Sequence, residues 1–180
     1  MRLVSQDGAI HNLLGAGSDL KIDIVEIAFA LANTNRFQGK IGQYSVAQHS
    51  VLVSQLVPVR FALQGLMHDA HEAFVGDMAT PVKEMLNHLG NDVWLQVEAK
   101  FAAAVRKYFH LPLPTAPEVK TADYKAFCLE LGSFASQKAQ VSYMQLGHTP
   151  DYSQTIRPMS PRKAFDAFIE RYTELGPNYI

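Results

Sequence analysis

The chain has 180 residues, of which 48% are hydrophobic and 18% are charged, and its formal net charge is −1. This length and composition predict one compact domain over residues 1–180 and exclude an intrinsically disordered chain. The nearly neutral charge argues against a general binder of nucleic acids or of acidic membranes, because such proteins usually carry a basic surplus.

The single cysteine and the N-terminal sequence indicate the cellular compartment. Cys128 cannot form an intrachain disulfide, which fits a reducing cytosol, and its apolar helical neighbours predict a place in the core. The first 20 residues lack the charged segment and apolar run of a signal peptide, and no apolar run reaches membrane-spanning length. We therefore expect a cytoplasmic protein without a membrane partner.

The first half of the chain is predicted to form a hairpin and two helices. Asp7-Gly8 is a strong two-residue turn signal inside a hairpin over residues 4–10. The elements that follow are a helix capped by Asp23 and ended at 33–35, a loop at 36–42, and a helix that Ser45 caps and Pro58 stops.

The second half is predicted to be helical as well. Its elements are a helix over 62–76, a shorter helix from Thr80-Pro81, a long helix over 92–109, a Pro-rich linker at 111–117, a helix over 118–134, an irregular stretch at 147–161 and a last helix from Ser160-Pro161. We expect an all-α fold, a single helical bundle with a short N-terminal hairpin.

Four residues in this pattern have the donor atoms of a metal site. His49 lies in the second predicted helix, His68-Asp69 follows an apolar run in the third, and Asp123 lies in a later helix. An ionised carboxylate on a buried helix is costly without a strong partner, and a divalent metal is such a partner. Two imidazoles and two carboxylates suit Mn, Fe, Co or Zn better than Ca, which prefers oxygen ligands.

The order of these ligands resembles the signature of the HD-domain phosphohydrolases, which is a His, then a buried His-Asp pair, then a distant Asp. The stretches 35–39, 44–50 and 68–74 are similar to the small branch that hydrolyses deoxynucleotides. That branch includes 5′-deoxynucleotidases and the dATP triphosphohydrolases of phages with diaminopurine genomes. The resemblance covers most of the chain. It implies one divalent transition metal (Zn, Co or Mn), a second Mg or Mn ion on the phosphates, and a homo-oligomer.

The resemblance also implies roles for residues around the metal. Glu72, one helical turn after His68 in the predicted helix, would orient or deprotonate the attacking water, and Asp77 would assist the acid–base step. The residues implied to hold the substrate are Arg36 and Lys83 at the phosphate oxygens, Phe37 and Pro81 beside the base, and Gly39 at its edge. A bulky residue is expected in place of Gly39 in adenine-selective members, so Gly39 argues against strict adenine selectivity.

Several functions compete on the sequence alone. Hydrolysis of a dNTP such as dATP to deoxynucleoside and triphosphate is favoured over a deoxynucleoside 5′-monophosphatase, because Arg36 and Lys83 offer more positive charge than one phosphate needs. A non-catalytic HD module is disfavoured because all four ligands are present. A metallopeptidase is disfavoured because the run 68–72 lacks the His-Glu-x-x-His order.

Overall fold

The computed structural model describes residues 2–5, 8–12, 20–90 and 92–176. At the N-terminus, strands β1 (Arg2–Val4) and β2 (Ile10–Asn12) pair antiparallel. The predicted hairpin is thus confirmed, although Asp7 of its predicted turn lies outside the described residues. Gly8, the second residue of that turn, has a φ of 84°, a left-handed conformation that glycine adopts without steric cost.

The rest of the described chain is mainly helical, which confirms the predicted all-α class. The helices in the described residues are α1 (Ile24–Asn33), α2 (Val46–Leu56), α3 (Ala62–Leu66), α4 (Glu72–Val75), α5 (Thr80–Leu89), α6 (Val93–Tyr108), α7 (Pro117–Phe134), α8 (Gln137–Gln145) and α9 (Pro161–Leu175). Short 3₁₀ turns at Arg36–Gly39 and Val59–Phe61 precede α2 and α3. Among the described residues, none of the helices is both long and apolar enough to cross a membrane.

Three predicted capping residues start helices as expected. The Asp23 carboxylate and the hydroxyls of Ser45 and Ser160 each accept a hydrogen bond from a backbone N–H in the first turn of the following helix. Each bond satisfies a donor that a helix start leaves unpaired and stabilises by about 1 kcal/mol. The starts of α1, α2 and α9 therefore follow from local sequence.

Helix α2 lies at the centre of the bundle and packs against α1, α3, α7 and α9. Eight of its 11 residues are buried, so it is enclosed over most of its length. A buried polar group on such a helix needs a partner. Gln48 finds two, since its Nε2 donates to the Arg157 carbonyl at 2.8 Å and its Oε1 accepts from Met159 N at 2.9 Å.

The predicted helix over 62–76 is broken in the structure. Helices α3 and α4 are separated by turns at 67–71, whose backbone hydrogen bonds include several to carbonyls three residues back. The prediction of one continuous helix was wrong because the apolar spacing runs on through the break. Met67 and Ala70, both in the turns, are buried as fully as helical core residues.

The segment 36–42, predicted as a loop, contains the 3₁₀ turn at Arg36–Gly39. Phe37 and Gln38 have φ values of 55° and 53°, in a left-handed region that costs about 1–2 kcal/mol per non-glycine residue. The Arg36 N–H donates to the Tyr44 carbonyl at 2.8 Å. This bond closes the loop across its base and holds Arg36 at the start of the strained turn.

Candidate metal centre

His49 extends from the middle of α2 and lies, fully buried, between two carboxylates of α7. Its Nδ1 donates to Glu130 Oε1 at 2.6 Å. Its Nε2 lies 3.0 Å from Asp123 Oδ1, but not with the geometry of a hydrogen bond. Asp123 and Glu130 are seven residues apart, which is about two helical turns, so both carboxylates reach the same face of α2.

His68 and Asp69 lie in the turns between α3 and α4. The Nδ1 of His68 donates to the Gly65 carbonyl at 2.7 Å, and since a carbonyl only accepts, this bond leaves Nε2 as the nitrogen with the lone pair. Asp69 Oδ2 lies 3.1 Å from that Nε2. Consecutive residues of a regular helix point about 100° apart, so the break after α3 is what lets these two side chains converge.

The four predicted ligands border one small space. Donor atoms of His49, His68 and Asp123 all lie within 4.8 Å of one another, and Asp69 Oδ2 lies 3.8 Å from His49 Nε2. The side chain of Asp123 is 45% exposed, whereas that of His49 is 0% exposed. The space is therefore closed on the α2 side and open beside Asp123.

These residues fit a divalent metal. Both Nε2 atoms are buried and have no hydrogen-bond partner among the described residues, although buried polar atoms nearly always have one. Metal-ligating histidines usually donate their other ring N–H to a carboxylate or a backbone carbonyl. His49 and His68 do so to Glu130 and Gly65. His49, His68, Asp69 and Asp123 are thus the residues that could hold the ion.

The charges around this space favour bound cations. Burial and the Arg36 guanidinium oppose protonation of His49, but the two flanking carboxylates outweigh them and raise its pKa to about 9. Burial alone would raise the pKa of Asp69, but the adjacent imidazoles and guanidinium hold that pKa far below its ordinary value. Burial would also raise the pKa of Asp123, but the imidazoles of His49 and His68 outweigh it and lower that pKa. A metal ion would replace the proton of His49.

Glu130 is a buried residue of the candidate centre that the sequence analysis did not predict. It is fully buried, and its Oε2 accepts from Arg36 Nε at 3.3 Å while its Oε1 binds His49. Arg36 NH1 also lies 3.8 Å from Asp69 Oδ2. The sequence does contain a signal for Glu130, since it is a charged residue between two buried leucines, two turns after a predicted ligand.

Glu72 and Asp77, the predicted acid–base residues, lie at the start of α4 and just after its end. Glu72 is 5% exposed, and its N–H donates to the Asp69 carbonyl at 2.9 Å. Burial and the charges of Asp69 and Asp77 raise the pKa of Glu72 to about 10. Burial also raises the pKa of Asp77. Raised carboxyl pKa values are typical of groups that transfer protons.

Lys83 lies near Glu72, but it is bound to a residue that the sequence reasoning missed. Its Nζ is 2.7 Å from Glu98 Oε1 and 3.9 Å from Glu72 Oε1. The contact joins α5 to α6. Burial would raise the pKa of Glu98, but interactions with His71, Lys83 and Trp94 outweigh it and lower that pKa to about 2. Glu98 was hidden in the sequence because a glutamate in an amphipathic helix is usually a solvated surface residue.

Phe37 belongs to an aromatic surface that begins beside the metal centre. Its ring stacks on Phe127 with centroids 6.0 Å apart, and Phe127 lies one turn after Asp123 on α7. The other rings that contact Phe127 are those of Tyr124, Tyr143 and His148. An aromatic surface at this place can stack on a flat ligand.

The two remaining predicted substrate contacts, Gly39 and Pro81, are each explained by the local backbone structure. Gly39 has a φ of 72°, and a Cβ atom there would meet nothing within 4 Å. The open space expected beside it is present, but the left-handed backbone already favours glycine. Pro81 is exposed in the first turn of α5, where proline is well tolerated. Neither position by itself identifies a base pocket.

Comparison with known proteins gives the chain a family. It is 35% identical over 159 residues to the uncharacterized protein YfdR of Escherichia coli (strain K12), which covers 87% of this chain and 86% of that protein. The chain belongs to the YfdR family. A second similarity, 34% identity over 130 residues that cover 64% of each chain, is to the uncharacterized protein RCAP_rcc00048 of Rhodobacter capsulatus. No family model matches the sequence.

Proposed function

We propose that this member of the YfdR family is a metal-dependent phosphohydrolase of the HD superfamily that acts on 2′-deoxynucleotides. The observation that carries the proposal is the pair of buried Nε2 atoms of His49 and His68, which lack hydrogen-bond partners among the described residues and face two carboxylates. A purely structural pair of histidines would be expected to have both nitrogens satisfied.

The surrounding residues supply the other parts of a hydrolytic site. A divalent ion held by the four ligands would lower the pKa of a water molecule and polarise a phosphoryl oxygen. Glu72 and Asp77, with their raised pKa values, can hold or release a proton beside the phosphate. Arg36, at 3.8 Å from Asp69, lies where it can contact a phosphoryl oxygen.

The charge balance favours a monophosphate over a triphosphate, which reverses the ranking predicted from sequence. That ranking treated Arg36 and Lys83 as free cations, but Arg36 pairs with Glu130 at 3.3 Å and Lys83 with Glu98 at 2.7 Å. Among the described residues, the carboxyl groups of Asp69, Asp123 and Glu130 at the centre outnumber the guanidinium of Arg36. A tripolyphosphate would therefore need further cations, such as Mg²⁺ or Mn²⁺ on its own oxygens, whereas one phosphate needs less compensation.

The aromatic surface that includes Phe37 and Phe127 supports a nucleotide as the phosphate carrier. It lies next to Asp123 and Arg36, so a phosphate at the metal centre would place an attached base within reach of the rings. Stacking of a base on an aromatic side chain contributes about 1–3 kcal/mol and tolerates different bases. The preference for 2′-deoxy sugars rests on the family resemblance of the sequence.

A turnover screen tests the proposal. The purified protein is incubated with dNMPs, dNTPs and the matching ribonucleotides in the presence of Mn²⁺, Co²⁺, Zn²⁺ or Mg²⁺, and products are separated by chromatography. We expect deoxynucleoside and phosphate from dNMPs, with chelation abolishing the reaction. Release of tripolyphosphate from dNTPs would instead support the alternative, a dNTP triphosphohydrolase. Absence of any hydrolysis by the metal-loaded protein would contradict both.

A further inference from the structure

A second cluster of donor atoms lies on α4 and α6, outside the predicted ligand set. One donor atom each of His71, Glu72 and Glu98 lies within 4.8 Å of the other two. Glu72 is 5% exposed, and its Oε2, like the Nδ1 of His71, is buried without a hydrogen-bond partner among the described residues. One imidazole and two carboxylates are a donor set that divalent transition metals accept.

Lys83 reaches into this cluster from α5. Its Nζ lies 2.7 Å from Glu98 Oε1 and 3.9 Å from Glu72 Oε1, and its side chain is only 24% exposed. His71 Nε2 lies 3.9 Å from the same Glu98 oxygen. An ammonium group is a compact point charge, so at 2.7 Å it compensates the Glu98 carboxylate much as a metal ion would.

The ammonium does not use all the donors that surround it. It lies near the Oε1 atoms of Glu98 and Glu72, whereas Glu72 Oε2 stays without a hydrogen bond among the described residues. A metal ion accepts lone pairs from nitrogen and oxygen alike, but an ammonium group only donates N–H bonds within its short reach. The donors exceed what Lys83 needs.

We propose that His71, Glu72 and Glu98 form a divalent-cation pocket that Lys83 fills with its own ammonium group. Lys83 is then a resident second cation beside the metal centre, and Glu98 is the positioning residue that holds it against Glu72. The proposal concerns which cation fills this pocket. It is independent of the substrate, and it holds whether or not the ligands around His49 prove to bind a metal.

Replacing Lys83 tests this assignment by metal content. Wild type, Lys83→Ala, Lys83→Met and Lys83→Ala combined with Glu98→Gln are dialysed against Mn²⁺, and separately against Zn²⁺, before metal analysis. Lys83→Ala opens the pocket and removes its cation, so we expect about one more ion per chain than in wild type. Lys83→Met removes the charge but fills the space, and the double variant lacks a ligand, so neither should gain an ion.

Lys100→Ala is the matched control, since Lys100 is an exposed lysine two residues after Glu98 on α6. Thermal unfolding followed by circular dichroism checks that every variant is folded, and Lys83→Ser provides the same opening if the alanine variant aggregates. An ion count for folded Lys83→Ala or Lys83→Ser equal to that of wild type would overturn the proposal. So would a loss of one ion in the single variant Glu98→Gln, because the wild-type pocket would then already hold a metal. Because the readout is a difference between variants, failure of the metal centre at His49 would lower all counts equally and leave this test intact.

Discussion

The metal centre and the pocket that Lys83 fills use the same kinds of donor, but a side-chain cation lies closer to the carboxylates of the pocket than to the predicted ligands of the metal centre. Around His49 and His68, the Nδ1 atoms are bonded to protein acceptors and both Nε2 atoms are buried without such a bond. Around Glu98, the ammonium of Lys83 lies at 2.7 Å. The Arg36 guanidinium is bonded to Glu130 and lies farther away, at 3.8 Å, from the predicted ligand Asp69.

The difference indicates which of the two clusters would take an ion from solution. Buried carboxylates without a cation are costly, and each must find a proton, a side-chain cation or a metal. In the pocket, Lys83 pairs with Glu98 at 2.7 Å. At the metal centre, Arg36 pairs with Glu130 at 3.3 Å and lies 3.8 Å from Asp69, so protons or a metal must supply the rest of the compensation. Substitutions at the two clusters should therefore have different effects on metal binding and turnover. The effects should be larger the closer the substituted residue lies to the bound ion.

The largest effect is expected for Asp69→Ala. This change removes one of four protein ligands and a negative charge that compensates a divalent ion, so both metal binding and hydrolysis should be abolished. Metal analysis after dialysis and a dNMP turnover assay measure the two losses. Asp166→Ala is the control, because Asp166 is 52% exposed on α9. A folded Asp69→Ala variant with full metal content and normal turnover would show that the site is misassigned.

Glu72→Gln should separate chemistry from metal binding. Glutamine has the size of glutamate but cannot exchange a proton, so metal content should stay while turnover falls by about 10². Glu84→Gln, at an exposed position on α5, should match wild type in both measurements. Loss of the metal in Glu72→Gln would make Glu72 a ligand, and unchanged turnover would remove it from the acid–base step.

The sequence predicted which four residues meet at the candidate centre but not the geometry that joins them. Their order along the chain, through its resemblance to the HD signature, was enough to select His49, His68, Asp69 and Asp123. The convergence of His68 with Asp69 depends on a break in the helix, and the apolar spacing gives no sign of it because Met67 is buried like a helical core residue. Hydrophobic periodicity reports which residues are inside, and it is insensitive to a short stretch of turns.

Other parts were missed for a related reason. Helix α8 contains no buried residue, so it has no apolar face that a periodicity search could detect, although Ser136 caps it. Glu98 and Glu130 were overlooked because a glutamate in a helix is usually solvated. Their roles depend on Lys83 and on Arg36, whose partners are 15 and 94 positions away in the chain. Spacing in the sequence does not predict such pairs.

Glu130→Gln should weaken the metal centre without removing a ligand. The amide can still accept from His49 Nδ1, but it lacks the charge that orients the imidazole and balances Arg36. Loss of such an outer partner typically lowers metal affinity about 10–100-fold. Competition with a chelator measures the affinity, and Glu118→Gln, at a half-buried position on the same helix paired with Arg60, provides the control. An unchanged affinity would mean that Glu130 serves only the fold.

The smallest and most specific effect concerns pH in the metal-free protein. The pKa of His49 rises from 6.5 to about 9 in the folded state, so the folded protein holds a proton that the unfolded chain releases. That proton stabilises the fold fully below pH 6.5, and the stabilisation is lost as pH rises through 9. The free energy of unfolding should fall across this window, with a slope of at most about 1.4 kcal/mol per pH unit.

Urea unfolding of the chelated protein at several pH values measures this slope. The raised pKa of Glu72 acts in the same direction, so the series is run in Glu72→Gln, where the decline should persist through His49. The Lys83–Glu98 pair should not contribute, because the pKa of Glu98 is about 2 and that of Lys83 is raised above its ordinary value. With Zn²⁺ bound the sign should reverse, since metal affinity grows as protons leave the ligands. A metal-free stability that stays flat across the window would show that His49 holds no extra proton, and the contrast between the two clusters would then rest on geometry alone.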